Sequence, residues 1–377
     1  MWRLGRRRAA AFCNGSCAMM ARSTRRQPIG SVLLAASLSA GILAAAGLTA
    51  RSALHAQAPS TPLTTWRVTI VLPPRIVAGQ PATLATLGVD GRLAASVKVE
   101  VGDQQLTTDS TGRALFNAPA SAGYVLAMAP GSSFATLVDP PADDPSPAIT
   151  VAPVISLHDR FSICGTALSG RADGNLVKIN GQLSLVLAAS PECIVVLPGP
   201  KVDAGPATIS VVTDTAQFAA KTSIVALAFE APNPALLPGK KGDLLVRVQG
   251  SDAKLRLAVD NQTPGVLRFL RGETQEVVTT GGGENTAAIR VQAVASGTFS
   301  FHARVIGPPD AAVALRYLQA AELLEPKDSQ RDIQKLIDHL ERHPQDSDRV
   351  AAALDQIRSA TIAGDLRTLL DAARAAL

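Results

Sequence analysis

Short runs of alternating apolar and polar residues, separated by turn residues, fill most of this chain. The leucines Leu183, Leu185 and Leu187 recur at every second position after the dipeptide Asn180-Gly181. An Asn-Gly pair ahead of such a run is typical of a β-hairpin, because both turn residues tolerate a positive φ. Many short strands with turns between them are typical of a β-sandwich. The pattern therefore predicts a mainly β protein.

After residue 309 the period of the apolar residues becomes that of a helix. Apolar residues now recur three and four positions apart, as on one face of an amphipathic helix. One such face consists of Ile333, Leu336, Ile337 and Leu340. Candidate N-cap residues stand at four positions: Asp310, Ser329, Ser347 and Asp365. We therefore predict four short helices that form a small bundle or pack on the preceding sandwich.

Turn-rich and proline-rich stretches divide the chain into segments. They are a leader at 1–56, a β-module at 64–138, a proline-rich linker at 139–150, a central β-sandwich at 151–214, a further β-module at 222–306 and an α-helical tail at 309–377. The linker holds prolines that a central strand would not accept. The predicted fold is a tandem of β-sandwich modules followed by a small C-terminal α-helical region.

The leader has the order of a secretory signal peptide. An Arg-rich start precedes an apolar run from Ser31 to Ala50, and small residues follow up to Ala56. We expect cleavage near Ala56 and an extracytoplasmic protein, whether periplasmic, surface-bound or secreted. The alternative is an uncleaved membrane anchor, since about 20 apolar residues can span a bilayer. The true start of translation is open between Met1, Met19 and Met20.

The central sandwich carries a recognisable pattern: N-x-V-x-I-N-G, then an apolar strand, then A-G-x-A-x-I-S-V. Its positions are Asn175, Val177, Ile179, Asn180, Gly181, Ser190, Ile194, Val196, Gly205, Ile209 and Val211. The pattern resembles the IPT/TIG immunoglobulin-like (Ig-like) module of cell-surface receptors and bacterial surface proteins, over residues 152–214. The chain lacks the glycines with which that family usually opens. The resemblance implies binding or scaffolding, and no catalysis.

A second, shorter resemblance lies in the first module. Residues 108–116 contain Thr108-Asp109, Gly112 and Phe116 in the order T-D-x-x-G-x-A-x-F. This order resembles a signature of bacterial Ig-like domains. The module at 222–306 resembles a further bacterial Ig-like surface module. The resemblances together imply a tandem of Ig-like modules.

The net charge of +5 misrepresents the mature chain. Eight of the 36 Lys and Arg residues lie before Gln57, where no acidic residue occurs, which leaves 28 basic against 31 acidic residues. A slightly acidic chain lacks the basic surface that nucleic-acid binding requires. We therefore expect no nucleic-acid partner, and membrane contact only through an uncleaved leader.

Cys164 and Cys193 are the two cysteines outside the leader, and they lie 29 residues apart. A single pair in an exported chain predicts a structural disulfide. The alternative is two buried, inert thiols. His158 precedes Cys164 too closely to form a catalytic Cys–His pair of any known spacing.

Two further groups of residues could in principle hold a metal. His339 and His343 are spaced i, i+4, but the segment lacks the H-E-x-x-H order of zinc hydrolases, which favours a solvated helix face. Asp139, Asp143 and Asp144 could bind Ca²⁺ between modules, although a plain solvated linker fits them better. We predict no catalytic residue, no metal site and no cofactor.

These observations predict an exported, non-enzymatic binding or scaffold protein of the bacterial cell envelope, with an envelope protein or polysaccharide as partner. The alternatives are an accessory region of an envelope enzyme and a purely structural spacer. Because function in sandwiches sits in loops and edges, the candidate contact surface is the loop set of the central module at 169–175, 188–192 and 199–204. The helical tail is a second candidate.

Overall fold

Strands dominate the computed structural model, as the alternating pattern predicts. It describes residues 67–142, 148–232, 236–270, 272, 274–324, 330–361 and 364–377. The predicted leader, the linker residues Asp143 and Asp144, and Ser329 lie outside these described residues. None of the described helices is long and apolar enough to cross a membrane.

The first module is a two-layer sandwich of eight strands. They are β1 (Thr69–Val71), β2 (Arg75–Val77), β3 (Pro81–Leu87), β4 (Lys98–Val101), β5 (Gln104–Thr107), β6 (Arg113–Asn117), β7 (Gly123–Ala129) and β8 (Ser132–Asp139). One layer has the order β2-β8-β7-β4-β5, and the other joins β3 to β1 and β6. Leu84, Phe116 and Val125 are among the side chains that fill the core between them. Asp139, which the sequence assigns to the linker, is the last residue of β8.

The central module holds the disulfide pair and the predicted hairpin. Its strands are β9 (Ile149–Val151), β10 (Val154–Ser156), β11 (Phe161–Gly165), β12 (Leu176–Ile179), β13 (Gln182–Ala189), β14 (Cys193–Leu197), β15 (Gly205–Val212) and β16 (Gln217–Glu230), with a 3₁₀ turn at Ala172–Gly174. Asn180 and Gly181 adopt φ values of 47° and 81°, as the hairpin requires. Strand β13 belongs to both layers, pairing with β12 at its start and with β14 at its end.

The third module shares strand β16 with the central one. Its other strands are β17 (Lys241–Gln249), β18 (Arg256–Asn261), β19 (Leu267–Phe269), β20 (Thr274–Val278), β21 (Thr286–Ala293) and β22 (Phe301–Ile306). Residues 217–224 of β16 pair with β15, and residues 226–230 pair with β17. The strand therefore runs without a break across the interval between the predicted ranges 151–214 and 222–306.

Four helices form the tail and fold back onto the first module. They are α1 (Ala311–Leu324), α2 (Gln330–Arg342), α3 (Ser347–Ala360) and α4 (Asp365–Ala376). Their common core includes Ala135 and Leu137 of β8. Asp310 caps α1, because its Oδ1 accepts a hydrogen bond from Val313 N at 3.0 Å. The tail therefore packs on the β-modules as well as on itself, and the described residues from Arg67 onward form one compact unit.

Two of the predicted N-caps are displaced by one residue. Helix α3 begins at Ser347 and helix α4 at Asp365, so that Asp346 and Gly364 take the N-cap positions. The apolar face predicted for α2 is buried at all four positions, with Ile333, Leu336, Ile337 and Leu340 inside the tail core.

Candidate binding cleft between the first and central modules

The first and central modules meet along a shared sheet. Ala189 at the end of β13 pairs with Thr83 of β3, which links the sheets of the two modules. This junction has a small hydrophobic core, separate from those of the two modules. It consists of Val71, Ala85, Leu187, Ala188 and Val195. Buried apolar contacts of this kind hold two modules in one fixed geometry.

The loop at 169–175 docks on strand β3. Thr83 Oγ1 donates a hydrogen bond to Gly170 O at 2.8 Å and accepts one from Ala172 N at 3.3 Å. A Cβ added at Gly170 would lie 2.0 Å from Pro81 O, so the backbones can approach this closely only with glycine. The buried Asn175 side chain holds the loop in shape through hydrogen bonds to Ser169 and Arg171 backbone atoms.

Arg113 of β6 reaches from the first module to the backbone of the central one. Its Nη2 donates to Val186 O at 2.6 Å and its Nε donates to Leu187 O at 3.2 Å. The register of β13 against β14 shifts between Val186 and Ala188, so these carbonyls lie at an irregularity of the ladder. Burial lowers the pKa of Arg113, while Asp109 and Asp173 act in the opposite direction. A guanidinium stays charged under these conditions, and the contact is therefore a charge-assisted one.

Beside this junction lies a cleft of about 350 Å³, lined by residues of both modules. Its apolar part is formed by Leu115 of β6, Leu176 of β12 and Leu185 of β13, which are 48%, 45% and 43% exposed. We call it the leucine cleft. Leu183 extends the same face of β13 at 61% exposure. These leucines are not part of the contact surface predicted from the sequence, although the alternation at 183–187 places Leu183 and Leu185 on one face.

The rim of the leucine cleft carries both signs of charge. Arg171 Nε lies 3.5 Å from Asp173 Oδ1, and both side chains are exposed. Asp109 accepts hydrogen bonds from the hydroxyl of Thr111 and the backbone N–H groups of Thr111 and Arg113, which lowers the pKa of its carboxyl. Among the described residues that line the cleft, none is aromatic.

The structure separates the three loops that the sequence grouped into one surface. Loops 169–175 and 188–192 both contact the first module, the second through Ser190 Oγ, which donates to Arg75 O at 2.7 Å. Loop 199–204 lies at the other end of β13, where Gly199 packs against Leu183 O. The eight residues of β13, about 25 Å in extended form, separate the two ends. Only the outward side of 169–175 therefore faces the leucine cleft.

A group of charged side chains joins the first module, the central module and the tail. Asp139 binds Arg75 Nε at 2.6 Å and also binds Arg316 Nη1 of α1. Glu192, from the turn between β13 and β14, places its Oε2 3.7 Å from Arg75 Nε. We call these four residues the charge junction.

Proton binding at the charge junction is shifted toward neutral pH. Burial, a hydrogen bond with Asp139 and repulsion from it raise the pKa of Glu192 to about 7. At Asp139, burial acts to raise the pKa of the carboxyl. Hydrogen bonds from Arg75 and Arg316 outweigh it, and the pKa is lowered. At mildly acidic pH Glu192 is therefore protonated while Asp139 stays ionised.

The predicted cysteine pair is joined in the structure. Cys164 of β11 and Cys193 of β14 stand directly opposite each other in adjacent strands. The bond therefore links two neighbouring strands of one layer, whereas the disulfide of antibody domains joins the two layers. Cys193 also begins the strand that follows Glu192, so the disulfide fixes one side of the charge junction.

The two histidines and the linker aspartate have other partners. The rings of His339 and His343 lie 5.2 Å apart, and His339 Nε2 lies 3.3 Å from Asp346 Oδ2. Asp139 forms ion pairs with two arginines, Arg75 and Arg316. In the described part of the chain, no three His, Cys, Asp or Glu side chains gather in a manner that could hold a metal ion.

Comparison with known proteins gives no family. No protein-family model and no curated protein matches the sequence. Among solved structures, the plexin A4 extracellular region shares 15% identity at a TM-score of 0.25, covering 64% of this chain and 23% of that chain. A Bacteroides ovatus protein of a mixed-linkage glucan utilisation locus, SGBP-B in complex with a mixed-linkage heptasaccharide, shares 13% identity at a TM-score of 0.23, covering 62% and 73%.

Domains 1–6 of the surface layer protein SbsC share 11% identity at a TM-score of 0.15, covering 63% of this chain and 38% of that chain. This chain thus spans well under two thirds of the plexin and SbsC chains. At TM-scores this low the matches carry no functional argument. The fold class rests on the architecture described above, which is mainly β with a C-terminal helical region.

Proposed function

We propose that this chain is an exported, non-enzymatic binding or scaffold protein of the bacterial cell envelope, and that its leucine cleft binds a protein partner. The proposal rests on one observation: Leu115, Leu176 and Leu185 stay about half exposed where two rigidly joined modules meet. Exposed apolar side chains that gather in a cleft, instead of being scattered singly over the surface, are a feature of interaction sites.

The chemistry of the cleft favours a protein over a polysaccharide. Branched aliphatic side chains make good contacts with other apolar side chains, whereas sugar rings are commonly held against the flat faces of aromatic rings. The leucine cleft offers the first surface, and no aromatic residue stands among its described lining. Arg171, Asp173 and Asp109 on the rim would select a partner with complementary charges beside its apolar contact.

The return of the tail to the first module argues against a simple spacer. A spacer needs modules joined end to end, each in contact only with its neighbours along the chain. Here α1 and α4 pack on β7 and β8, and Arg374 of α4 also pairs with Glu276 of the third module at 2.6 Å. This closed arrangement suits a rigid platform that presents a fixed cleft.

Photo-crosslinking in the native host tests the proposed contact. A photoreactive residue at Leu176 should capture one envelope protein, whereas the same residue at Leu323, 80% exposed on α1, should not. With the purified partner, the variants L115D, L176D and L185D should each weaken binding about tenfold or more. L323D is the matched control and should leave the affinity unchanged.

Three other results would redirect the proposal. Unchanged affinity in all three cleft variants would place the contact elsewhere. Binding of purified envelope polysaccharide that is lost in the same variants would replace the protein partner. Turnover of a substrate by the mature chain would reject a non-enzymatic role and favour a region of an envelope enzyme.

Export is tested separately. N-terminal sequencing of the protein from its native host should find a start near Gln57. A full leader retained in the membrane fraction would favour the anchor instead. Neither result depends on the leucine cleft.

A further inference from the structure

A second, larger cavity lies where the tail closes onto the β-modules. Its volume is about 670 Å³, within the range of about 300–1,000 Å³ that small-molecule sites occupy. Residues come to it from strands β2 and β8, from the disulfide of the central module, from the segment after β22, and from helices α1 and α4. We call it the junction cavity. Interfaces between domains are common places for such sites.

The walls of the junction cavity are mainly apolar. Helix α4 contributes Ala372, Ala375 and Ala376, which are spaced to lie on one face. Phe134 of β8 and Val313 of α1 add larger side chains. Because the alanines are short, the helix stands against β8 without filling the space between them.

Most polar groups of the cavity already have partners within the described residues. Thr368 Oγ1 donates to Ser133 Oγ at 2.8 Å, and Tyr317 OH donates to Ala135 O at 3.2 Å. Asp371 is paired with Arg358 at 2.6 Å, and Asp310 caps α1.

Arg75 differs from these groups. Its Nε binds Asp139, but among the described residues neither of its Nη atoms donates a hydrogen bond. The side chain is 45% exposed and lines the cavity. Of the described residues that line the cavity, Arg75 is the one cation, and its Nη atoms offer hydrogen-bond donors to a ligand.

We propose that the junction cavity binds a single-chain amphiphile, with its apolar chain against the α4 alanines, Phe134 and Val313 and its carboxylate at the Nη atoms of Arg75. A carboxylate accepts the two parallel N–H groups of a guanidinium in good geometry. The bound molecule would contact both the tail and the first module, and would thereby stabilise the closed arrangement.

Dodecanoate is the probe, titrated calorimetrically into the mature chain below its micelle concentration. We expect saturable binding of one molecule and a higher Tm. A372W fills the cavity and should weaken binding about tenfold or more, whereas L323W, at an exposed site on α1, should not. R75M should weaken dodecanoate binding about tenfold but leave dodecanol binding within about twofold, because only the acid uses the guanidinium.

A measurement on the unaltered chain covers the case in which A372W or R75M fails to fold. A diazirine analogue of dodecanoate should label residues of α4, α1 or β8. The absence of saturable dodecanoate binding, labelling confined to the third module, or full binding by a folded A372W would each overturn the proposal. The leucine cleft takes no part in this experiment, so its outcome is independent of the proposed function.

Discussion

The central module joins the first module through a single strand pair, Ala189 with Thr83, and otherwise through side chains and docked loops. It joins the third module through one unbroken strand. At the first junction, Thr83, Arg113 and Ser190 each bond backbone groups of the other module. At the second, Ile224 and Val225 are neighbours on β16, yet one belongs to the central core and the other to the third. The first junction thus depends mainly on particular side chains, while the second is formed mainly by the continuous backbone of β16.

This difference predicts different sensitivities. Point changes should loosen the first junction and with it the leucine cleft and the charge junction. Comparable changes at the second junction should lower stability without separating the modules. Hydrogen exchange resolved along the sequence can distinguish the two outcomes, because it reports local opening.

Removal of the disulfide should have the largest effect. The C164A/C193A double variant lacks the cross-link between two residues that are 29 positions apart. On the chain-entropy model, this loss should lower the free energy of unfolding by about 3 to 4 kcal/mol. Exchange should rise first in β11, β14 and the turn at Glu192, with β17 and β21 still protected. Chemical denaturation under oxidising conditions provides the measurement, and an unchanged midpoint would contradict it.

Two glycine substitutions compare the junctions directly. G170A places a Cβ 2.0 Å from Pro81 O, and G250A places one 2.4 Å from Ile224 O at a residue with φ of 95°. Each should cost about 2 kcal/mol or more of stability through overpacking. Only G170A should speed hydrogen exchange at 81–85 and 170–175. Equal exchange at these segments in both variants would mean that the junctions do not differ as we propose.

Thr83 and Thr222 form a matched pair with a smaller effect. T83V removes the bonds to Gly170 O and from Ala172 N across the first junction, and T222V removes the 2.8 Å bond from Thr222 Oγ1 to Ala152 O beside the second. Leaving these carbonyls unpaired, buried at Gly170 and half-buried at Ala152, should cost about 1 to 2 kcal/mol in each. Partner binding at the leucine cleft should weaken in T83V and persist in T222V, as measured by calorimetry.

The charge junction should give the smallest effect, visible as pH dependence. The folded pKa of Glu192 lies above its ordinary value of 4.5, at about 7. The stabilisation from its bound proton is therefore complete below about pH 4.5 and is lost as the pH rises through 7.

E192Q keeps a hydrogen-bond donor beside Asp139 and removes the titration. Between about pH 5 and 8, the wild-type chain should lose on the order of 1 kcal/mol of stability that E192Q retains, after allowance for solvent screening. Denaturation midpoints across this range provide the test. Parallel pH profiles for the two chains would exclude Glu192 as the titrating group.

The sequence predicted what local patterns determine. The turn at Asn180 and Gly181, the buried face of α2 and the mainly β class all follow from residue type and spacing over a few positions. Cys164 and Cys193 could be paired from their number and compartment, although their direct cross-strand position could not be read in advance. The IPT/TIG resemblance and the module bounds stay predictions.

Contacts between segments distant in sequence limit how much of the structure can be predicted from local patterns. Leu183, Leu185 and Leu187 share one alternation, yet Leu187 is buried while the other two are exposed. Leu187 is buried by residues of the first module, because the end of β13, beyond its bulge, packs in the small core with Val71 and Ala85. No pattern within β13 encodes this change. For the same reason the loops at 169–175 and 188–192 looked free in sequence but are docked in the structure.

Contact between the tail and the first module has a consequence for the order of folding. Tyr317 bonds Ala135 across 182 residues of sequence, and Ala135 and Leu137 are buried by helices that are synthesised long after β8. Until those helices arrive, one face of β8 stays apolar and uncovered, which exposes the nascent chain to aggregation. Under the proposed export, such a chain would cross the membrane unfolded or bound to a chaperone, and would fold once both β8 and the helices are on the far side.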